Sequence, residues 1–301
     1  MAALFAPITL RGLALKNRIV VSPMCQYNSD NGTANDWHLM HLGQFSLGAG
    51  ALVMTESTHV SAEGRISLKC AGMYSDENEA AMKRVIDFCK KYGVVALGLQ
   101  LGHAGRKGST LPPAQGGKPL KTEEGAWQTI APSPLPYAPD WHVPREMTKA
   151  DIVRVRDEFV QATRRAVRIG YDLVEMHAGH GYLGHEFLSP LSNRRTDEYG
   201  GSLANRMRFP LETFAAMRSA WPADKPMGVR ISVTDWVDGG WDVGQSVVFT
   251  RELKKLGCDY IDISSGALDP RASRSRSRPG TTFRSPRRSR RKPASPRCAW
   301  G

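Results

Sequence analysis

The chain has 301 residues, and 41 Lys and Arg against 29 Asp and Glu give it a formal net charge of +12. Residues 271–301 contain ten Arg, one Lys and no acid, so residues 1–270 hold 30 bases against 29 acids. A nearly neutral body argues against a basic nucleic-acid-binding fold. Five widely spaced Cys argue against a disulfide framework and a zinc ribbon. We expect a cytoplasmic protein without a signal peptide or a membrane-spanning segment.

Short apolar segments alternate with amphipathic ones along the chain. The predicted strands are Arg18–Met24, Ala51–Ser57, Val94–Leu101, Tyr171–His177, Met227–Thr234 and Asp259–Ser265. The predicted helices are Trp37–Ala49, Asp76–Tyr92, a third one from the capping box at Thr148 to Asp151 up to Gly170, Asn205–Ala220 and Val243–Leu256. A long loop rich in Pro and Gly occupies roughly residues 102–147, a length that is usually functional or disordered.

Strict alternation of strands and helices predicts a parallel sheet with helical crossovers, either doubly wound or closed as a barrel. No GxGxxG motif follows the first strand, which counts against a doubly wound dinucleotide-binding fold. Polar residues end several strands, and in a (β/α)8 barrel that rim carries the chemistry. We therefore predict an α/β fold of the TIM-barrel type over residues 1–270, truncated after the sixth strand. Residues 271–301 have almost no aliphatic side chain and are predicted to form a disordered Arg/Ser/Pro-rich tail.

Two histidines and a tyrosine follow the fourth predicted strand directly. His177, His180 and Tyr182 lie within six residues of one another, and together they can donate three hydrogen bonds to one small region. A carbonyl oxygen that gains negative charge needs such donors, and a phenol can also deliver a proton. The alternatives are loop histidines bonded to backbone, and half of a zinc site. No HExxH pattern and no nearby Cys supports a metal, so no metal is predicted.

Three more polar residues lie at predicted strand ends. Cys25 can be a nucleophile, a contact to a cofactor or a small buried side chain. Gln100 points inward beside Gly98. Arg230 also points inward and needs an anion or a salt bridge, for which Glu175 and Glu56 are the candidates, because an unpaired buried charge is costly.

Taken together, these segments resemble the Old Yellow Enzyme family of flavin-dependent ene reductases, in the branch typified by bacterial NADPH dehydrogenases and xenobiotic reductases. The resemblance extends from about Leu4 to Pro270. Its motifs, in this order, are SPMCQY at 22–27, EGRIS at 63–67, LGHAGRK at 101–107, HAGHGYLGHEFLSPLSNRRTDEYGGSLANR at 177–206 and VRIS at 229–232. Each motif alone is weak, whereas the ordered set is specific.

The resemblance implies a TIM barrel that holds FMN on its C-terminal rim, with NADPH or NADH as reductant and a small activated alkene as substrate. By this likeness His177 and His180 bind the substrate carbonyl, Tyr182 donates the proton, Tyr27 contacts substrate and Cys25 tunes the flavin. The implied flavin contacts are Ser22, Pro23, Met24, Cys25, Ser57, Gln100 and Arg230. Ser57 stands where this branch is expected to have Ala. Family members form homo-oligomers, and here the oligomeric state stays open.

The sequence departs from the family after Pro270, where the seventh and eighth β/α units that hold the FMN phosphate are expected. We attribute the Arg/Ser/Pro-rich stretch to a shifted reading frame and expect weak or absent FMN binding. A single-base deletion near codon 271 in the source DNA would bear this out, and an intact frame would refute it. The alternative functions are a binding protein whose basic tail contacts RNA or acidic partners and, more distantly, a metal-dependent barrel hydrolase.

Overall fold

The computed structural model describes residues 2–272. The predictions for the basic tail, namely its disorder, its origin and its affinity for RNA, concern residues that lie almost entirely outside this range. Among the residues described, no helix combines the length and the apolar character needed to cross a membrane.

Ten strands and six α-helices make up the described chain. The strands are β1 (Ile8–Leu10), β2 (Leu13–Leu15), β3 (Val20–Val21), β4 (Leu52–His59), β5 (Ala96–Gly102), β6 (Ile130–Ala131), β7 (Arg145–Glu146), β8 (Leu173–Ala178), β9 (Met227–Ser232) and β10 (Tyr260–Ser264). The helices are α1 (Asp36–Ser46), α2 (Asp76–Tyr92), α3 (Lys149–Ile169), α4 (Leu183–Leu188), α5 (Leu203–Ala220) and α6 (Val243–Lys255).

Six strands form one parallel sheet in the order β10-β9-β8-β5-β4-β3. Strands that follow one another in this sheet are connected through helices, which is the arrangement of a parallel β/α barrel. Within residues 2–272, β3 and β10 are the two edges of the sheet. The fold is therefore α/β and TIM-barrel-like, as the alternation of segments predicted.

Alternation along each strand separates a helix-facing side from an inner side. In β5, Leu97, Leu99 and Leu101 are fully buried in the large core shared with the helices. The alternate residues Gly98 and Gln100 lie on the other face. This separation agrees with the prediction that Gln100 lies on the inward face beside Gly98.

The two ends of the inner side differ in character. Near the beginning of the strands, an apolar cluster contains the buried Leu15, Leu52, Met54 and Leu173. The antiparallel hairpin β1–β2 packs against this cluster through partly buried residues such as Ile8. The C-terminal ends of the same strands carry polar side chains. Apolar side chains therefore fill one end of the inner side, and polar side chains line the other end.

The helix signals were accurate and the short elements were missed. The Thr148 side chain accepts from the backbone N–H of Asp151, in the predicted capping box, and Gly170 caps α3 in the left-handed conformation. The first predicted strand is reduced to Val20–Val21, because the chain turns into the SPMCQY loop, where Pro23 has no N–H for a ladder. The hairpin β1–β2, the β6–β7 pair inside the long loop and the six-residue α4 are too short to show a hydrophobic period.

Candidate active site

Three aromatic side chains converge where β8 ends. The ring centroids of His177 and His180 are 5.0 Å apart, and those of His177 and Tyr182 are 5.1 Å apart at an interplanar angle of 90°. The ring centroid of Tyr182 is 6.4 Å from that of His180. His177 lies on the strand itself, whereas His180 and Tyr182 lie on the loop that leads into α4. The three residues that the sequence placed together are therefore neighbours in space.

His177 presents one defined hydrogen-bond donor. Its Nδ1 accepts from the backbone N–H of Gly179 at 3.1 Å, so the proton of the neutral ring resides on Nε2. Burial, followed by the charge of His180, lowers the pKa of His177 well below its ordinary value. Across the described residues, Nε2 makes no hydrogen bond. The neutral ring therefore has Nε2–H as a donor, on the side opposite the nitrogen that contacts the backbone.

His180 is held more tightly than the sequence indicated. Its φ of +56° is in the left-handed region, which non-glycine residues rarely adopt. Its backbone N–H donates to Ser232 Oγ at 2.9 Å, and its Nε2 lies 2.6 Å from Ser264 Oγ. Burial, followed by Arg230, lowers its pKa to about 3. His180 is thus a second neutral imidazole, with Ser264 as the present partner of its Nε2.

The Tyr182 phenol keeps its proton. Burial is the main reason that its pKa is raised well above the ordinary value, and Cys25 and Tyr27 add to the effect. These three residues pack together against the buried Ile66, Cys70 and Ala104. The SPMCQY loop and the loop after β8 therefore meet in one cluster.

Glu56 fixes the SPMCQY loop from a bulge in β4. The strand shifts register between Thr55 and Ser57, which frees Glu56 to accept from the backbone N–H of Gln26 at 2.9 Å and to contact His38 Nε2 at 3.1 Å. Within this loop, burial raises the pKa of the Cys25 thiol well above its ordinary value. A thiol that keeps its proton is a poor nucleophile, so the geometry favours a packing or cofactor contact for Cys25.

Gln100 and Arg230 each contact an acidic side chain on the neighbouring strand. Gln100 Nε2 donates to Glu175 Oε1 at 2.8 Å, and burial raises the pKa of Glu175 to about 8. Arg230 Nε lies 3.3 Å from Asp262 Oδ2. The interpretation of Glu175 or Glu56 as the ion-pair partner of Arg230 is wrong, because the β9–β10 register places Asp262 directly beside it.

Several observations test whether a flavin ring suits this rim. Ser57 Oγ and Arg230 Nε are buried and have no hydrogen-bond partner within residues 2–272. A Cβ at Gly102 would approach Ser57 Oγ to 2.8 Å and His177 Cβ to 3.5 Å, so the absence of a side chain keeps this spot open. An isoalloxazine edge carries carbonyl oxygens and ring nitrogens that accept hydrogen bonds, and one N–H that donates. Unsatisfied donors from serine, arginine and histidine fit such an edge.

The remaining predicted flavin contacts, Ser22, Pro23 and Met24, lie on the SPMCQY loop. Ser22 and Pro23 line a small cavity of about 40 Å³, whose lining also includes Glu175 and Asp262. Met24 is 48% exposed. The same cavity is lined by Leu15, Leu52, Met54 and Leu173, so it lies at the apolar end of the sheet, behind the hairpin.

Sequence reasoning missed Lys107, although the residue lies in the LGHAGRK motif. Its Nζ donates to the backbone oxygens of His180 and Ala267, each at 2.9 Å. The ammonium also lies 5.3 Å from the Tyr182 ring centroid. Burial lowers its pKa to about 8. A basic residue five positions after the end of β5, within a motif already noted, was the available signal.

The His-x-x-His spacing of His177 and His180 is also compatible with half of a metal site. Over the part of the chain that is described, no three His, Cys, Asp or Glu side chains are grouped so that they could hold a metal ion. His177 Nδ1 and His180 Nε2 have the protein partners given above.

Comparison with known proteins identifies a family and several relatives. Residues 3–292 match the model of the NADH:flavin oxidoreductase / NADH oxidase family, a range that continues past Pro270. The chain is similar to the NADPH dehydrogenase of Geobacillus sp. (strain WCH70), with 43% identity over 269 residues, or 89% of this chain and 74% of the relative.

Two solved structures are similar as well. Morphinone reductase in complex with tetrahydroNAD matches with a TM-score of 0.75 and 28% identity, covering 87% of this chain and 74% of that one. An Old Yellow Enzyme homologue from Zymomonas mobilis matches with a TM-score of 0.74 and 25% identity, covering 89% of this chain and 74% of that one.

Proposed function

The chain belongs to the NADH:flavin oxidoreductase / NADH oxidase family, and from this premise we propose that it is an ene reductase that reduces the alkene of α,β-unsaturated carbonyl compounds. Membership itself makes it an FMN-dependent NAD(P)H oxidoreductase of the Old Yellow Enzyme type that acts on small molecules. The observation that carries the finer proposal is the convergence of His177, His180 and Tyr182 on one spot of the rim.

FMN, when bound, supplies a two-electron carrier that takes hydride from NADPH or NADH and passes hydride to the β-carbon of the alkene. The residues that would hold its ring are Ser22, Pro23, Met24, Cys25, Ser57, Gln100 and Arg230. Support for this set comes from Ser57 Oγ and Arg230 Nε, which make no hydrogen bond in the described chain, while Arg230 Nε keeps its ion-pair contact to Asp262. A guanidinium at the ring edge would favour the negative charge of the reduced ring.

His177 would bind the substrate carbonyl through Nε2–H. Its neutral ring, with Nδ1 already engaged by Gly179, offers a donor that needs no reorganisation when negative charge develops on the carbonyl oxygen. His180 would add a second donor by exchanging its Ser264 contact for the same oxygen. Two hydrogen bonds to the carbonyl oxygen withdraw electron density from the conjugated alkene. The β-carbon therefore becomes a better acceptor of hydride.

Tyr182 would deliver the proton to the α-carbon. Its phenol is protonated at neutral pH because burial raises the pKa, and its ring stands perpendicular to that of His177. A substrate whose carbonyl is bound by His177 therefore extends past the phenol. Donation from this hydroxyl gives a saturated product once hydride has arrived.

Tyr182→Phe tests the proposal most simply. With FMN in excess, we expect cyclohex-2-enone reduction to fall roughly 10²- to 10⁴-fold, while aerobic NADPH oxidation changes less than about threefold. The exposed residue Tyr92 on α2 gives the matched control Tyr92→Phe, which should change neither rate. Equal enone reduction by Tyr182→Phe and the wild type would refute the role of the phenol.

The strength of FMN binding stays a separate prediction. Residues 271–301 are rich in Arg, Ser and Pro in place of the units that hold the phosphate in the family, so we expect saturable but weak binding. A flavin fluorescence titration with FMN and with lumiflavin, which lacks the phosphate, measures this. We expect dissociation constants within about threefold of each other. Purification of a stoichiometric yellow protein would contradict the prediction.

A further inference from the structure

A buried carboxylate and a buried histidine lie behind the loop that carries His180 and Tyr182. His185 on α4 and Asp235 after β9 are both fully inaccessible to solvent. His185 Nε2 lies 2.9 Å from Asp235 Oδ1, and His185 Nδ1 accepts from the backbone N–H of Gly181 at 3.0 Å. Gly181 is the residue between His180 and Tyr182. A continuous chain of contacts therefore leads from the carboxylate to the catalytic loop.

Asp235 is fixed by two donors on its other oxygen. Ser189 Oγ donates to Asp235 Oδ2 at 2.6 Å, and the backbone N–H of Trp241 donates to the same atom at 2.7 Å. With Oδ2 engaged in this way, Oδ1 is the atom left to face His185. A Cβ at Gly240 would approach Oδ2 to 2.7 Å, so the following loop also packs closely on the carboxylate.

The contacts determine which nitrogen of His185 carries the proton. Nδ1 accepts from a backbone N–H and is therefore unprotonated, so the proton is on Nε2. This nitrogen lies 2.9 Å from Asp235 Oδ1, which is an ion-pair distance without hydrogen-bond alignment. A carboxylate accepts and cannot donate when ionised, so it favours this tautomer. Asp235 thereby keeps Nδ1 available as the acceptor for Gly181.

The loop needs such an acceptor because its backbone is strained. His180 has a φ of +56°, which non-glycine residues rarely adopt, whereas the +73° of Gly181 is ordinary for glycine. Residues held in sparsely populated regions persist only when their surroundings determine them. Ser232 holds the N–H of His180, Lys107 holds its carbonyl oxygen, and His185 holds the next N–H along the chain.

We propose that Asp235 and His185 are positioning residues, in which the carboxylate selects the His185 tautomer that fixes Gly181 and so aims His180 and Tyr182 at the substrate. The kinetic part of this inference rests on the proposed ene reductase function. The structural part concerns the tautomer and the loop, and it can be measured on the protein without substrate.

Asp235→Asn is the informative substitution. The two donors on Oδ2 would hold the amide oxygen of the new side chain, which turns its NH₂ group toward His185 Nε2. Two donors would then face each other unless the imidazole proton moves to Nδ1. That tautomer presents Nδ1–H to the N–H of Gly181, and the loop loses its contact.

The exposed Asp238 provides a matched control in the same loop, because Asp238→Asn removes the same charge. Long-range ¹H–¹⁵N spectra report the tautomer of His185, and amide exchange reports Gly181. We expect the Nε2–H tautomer in the wild type and in Asp238→Asn, and the Nδ1–H tautomer with faster Gly181 exchange in Asp235→Asn. An Nδ1–H tautomer or an imidazolium in the wild type overturns the proposal, even if the variant fails to fold.

Enone reduction with excess FMN gives the second readout. We expect kcat to fall about 10- to 100-fold in Asp235→Asn, the scale that small misplacements of catalytic groups produce, while Asp238→Asn retains the wild-type kcat. A tautomer change with unaltered kcat overturns the positioning role. If the wild type itself reduces no enone but shows the expected tautomer and exchange, the proposed function has failed while the structural device stands.

Discussion

The inner side of the sheet has two ends with opposite properties. At one end Leu15, Leu52, Met54 and Leu173 form an apolar cluster under the β1–β2 hairpin. At the other end Gln100, His177 and Arg230 present polar groups, and Ser57 and Arg230 have atoms without a hydrogen-bond partner among the residues described. The same strands therefore stabilise the fold through apolar burial at one end and hold polar groups for binding and chemistry at the other. Substitutions at the two ends should separate stability from activity.

The apolar end should show the largest effect on stability. Leu173→Ala removes a fully buried side chain of β8, and the cavity left behind should lower the free energy of unfolding by roughly 2–5 kcal/mol. Urea denaturation measures this. For the fraction that stays folded, enone reduction should remain within about twofold of the wild type. A large loss of kcat with normal stability would contradict the division between the two ends.

The polar end should show the opposite pattern. His177→Ala removes the Nε2–H donor, and loss of one such donor typically lowers kcat about 10²- to 10³-fold. The free energy of unfolding should change by about 1 kcal/mol, because one backbone contact to Gly179 is lost. Steady-state enone reduction with excess FMN, beside urea denaturation, checks both numbers. A loss of stability as large as that of Leu173→Ala, with kcat unchanged, would contradict the assignment of activity to the polar end.

Glu175 links the two ends, since it lies one inward position below His177 on β8. Burial raises its pKa to about 8, so between the ordinary Glu pKa and 8 the native state binds more protons than the unfolded state. Its contribution to stability is therefore complete at low pH and declines as the pH rises toward 8.

Glu175→Gln removes this titration. Between pH 6.5 and 8, the variant should lose less unfolding free energy than the wild type, by up to about 1.4 kcal/mol per pH unit for one proton. Urea denaturation across this range gives the slopes. Glu186 has a pKa raised by burial to about 8 as well, so some slope should persist in the variant. Identical slopes in both proteins would show that Glu175 is ionised throughout.

Cys25 should give the smallest effect. Its thiol keeps its proton because burial raises the pKa, so alkylation by iodoacetamide at pH 8 should be slower than that of free cysteine. Cys25→Ala should retain enone reduction within about tenfold, since no step needs a thiolate. Mass spectrometry follows the alkylation. Rapid labelling of Cys25, or complete loss of turnover in the variant, would point to a nucleophilic role.

The regular elements could be predicted because their signals are local. The capping box at Thr148, Gly170 and the alternation of β5 each depend on a few neighbouring residues. The proximity of His177, His180 and Tyr182 could be predicted for the same reason, because they lie within six consecutive residues.

Contacts between distant segments could not be predicted in this way. Arg230 pairs with Asp262 because of the register between two strands, which no single sequence reveals. Asp235 and His185 are 50 positions apart and meet only in the fold. The bulge that frees Glu56 for the Gln26 backbone is likewise a property of the assembled sheet.

The central claim is that the polar end of the sheet binds a flavin ring, and a fluorescence titration of FMN against the wild type and Arg230→Met tests it most directly. Arg84→Met on the exposed face of α2 is the charge-matched control, and thermal unfolding shows that each protein is folded. We predict saturable one-to-one binding by the wild type and the control, weakened at least about tenfold in Arg230→Met, since hydrogen bonds to charged groups contribute about 1.5–3 kcal/mol. Equal affinity in all three folded proteins would contradict the account.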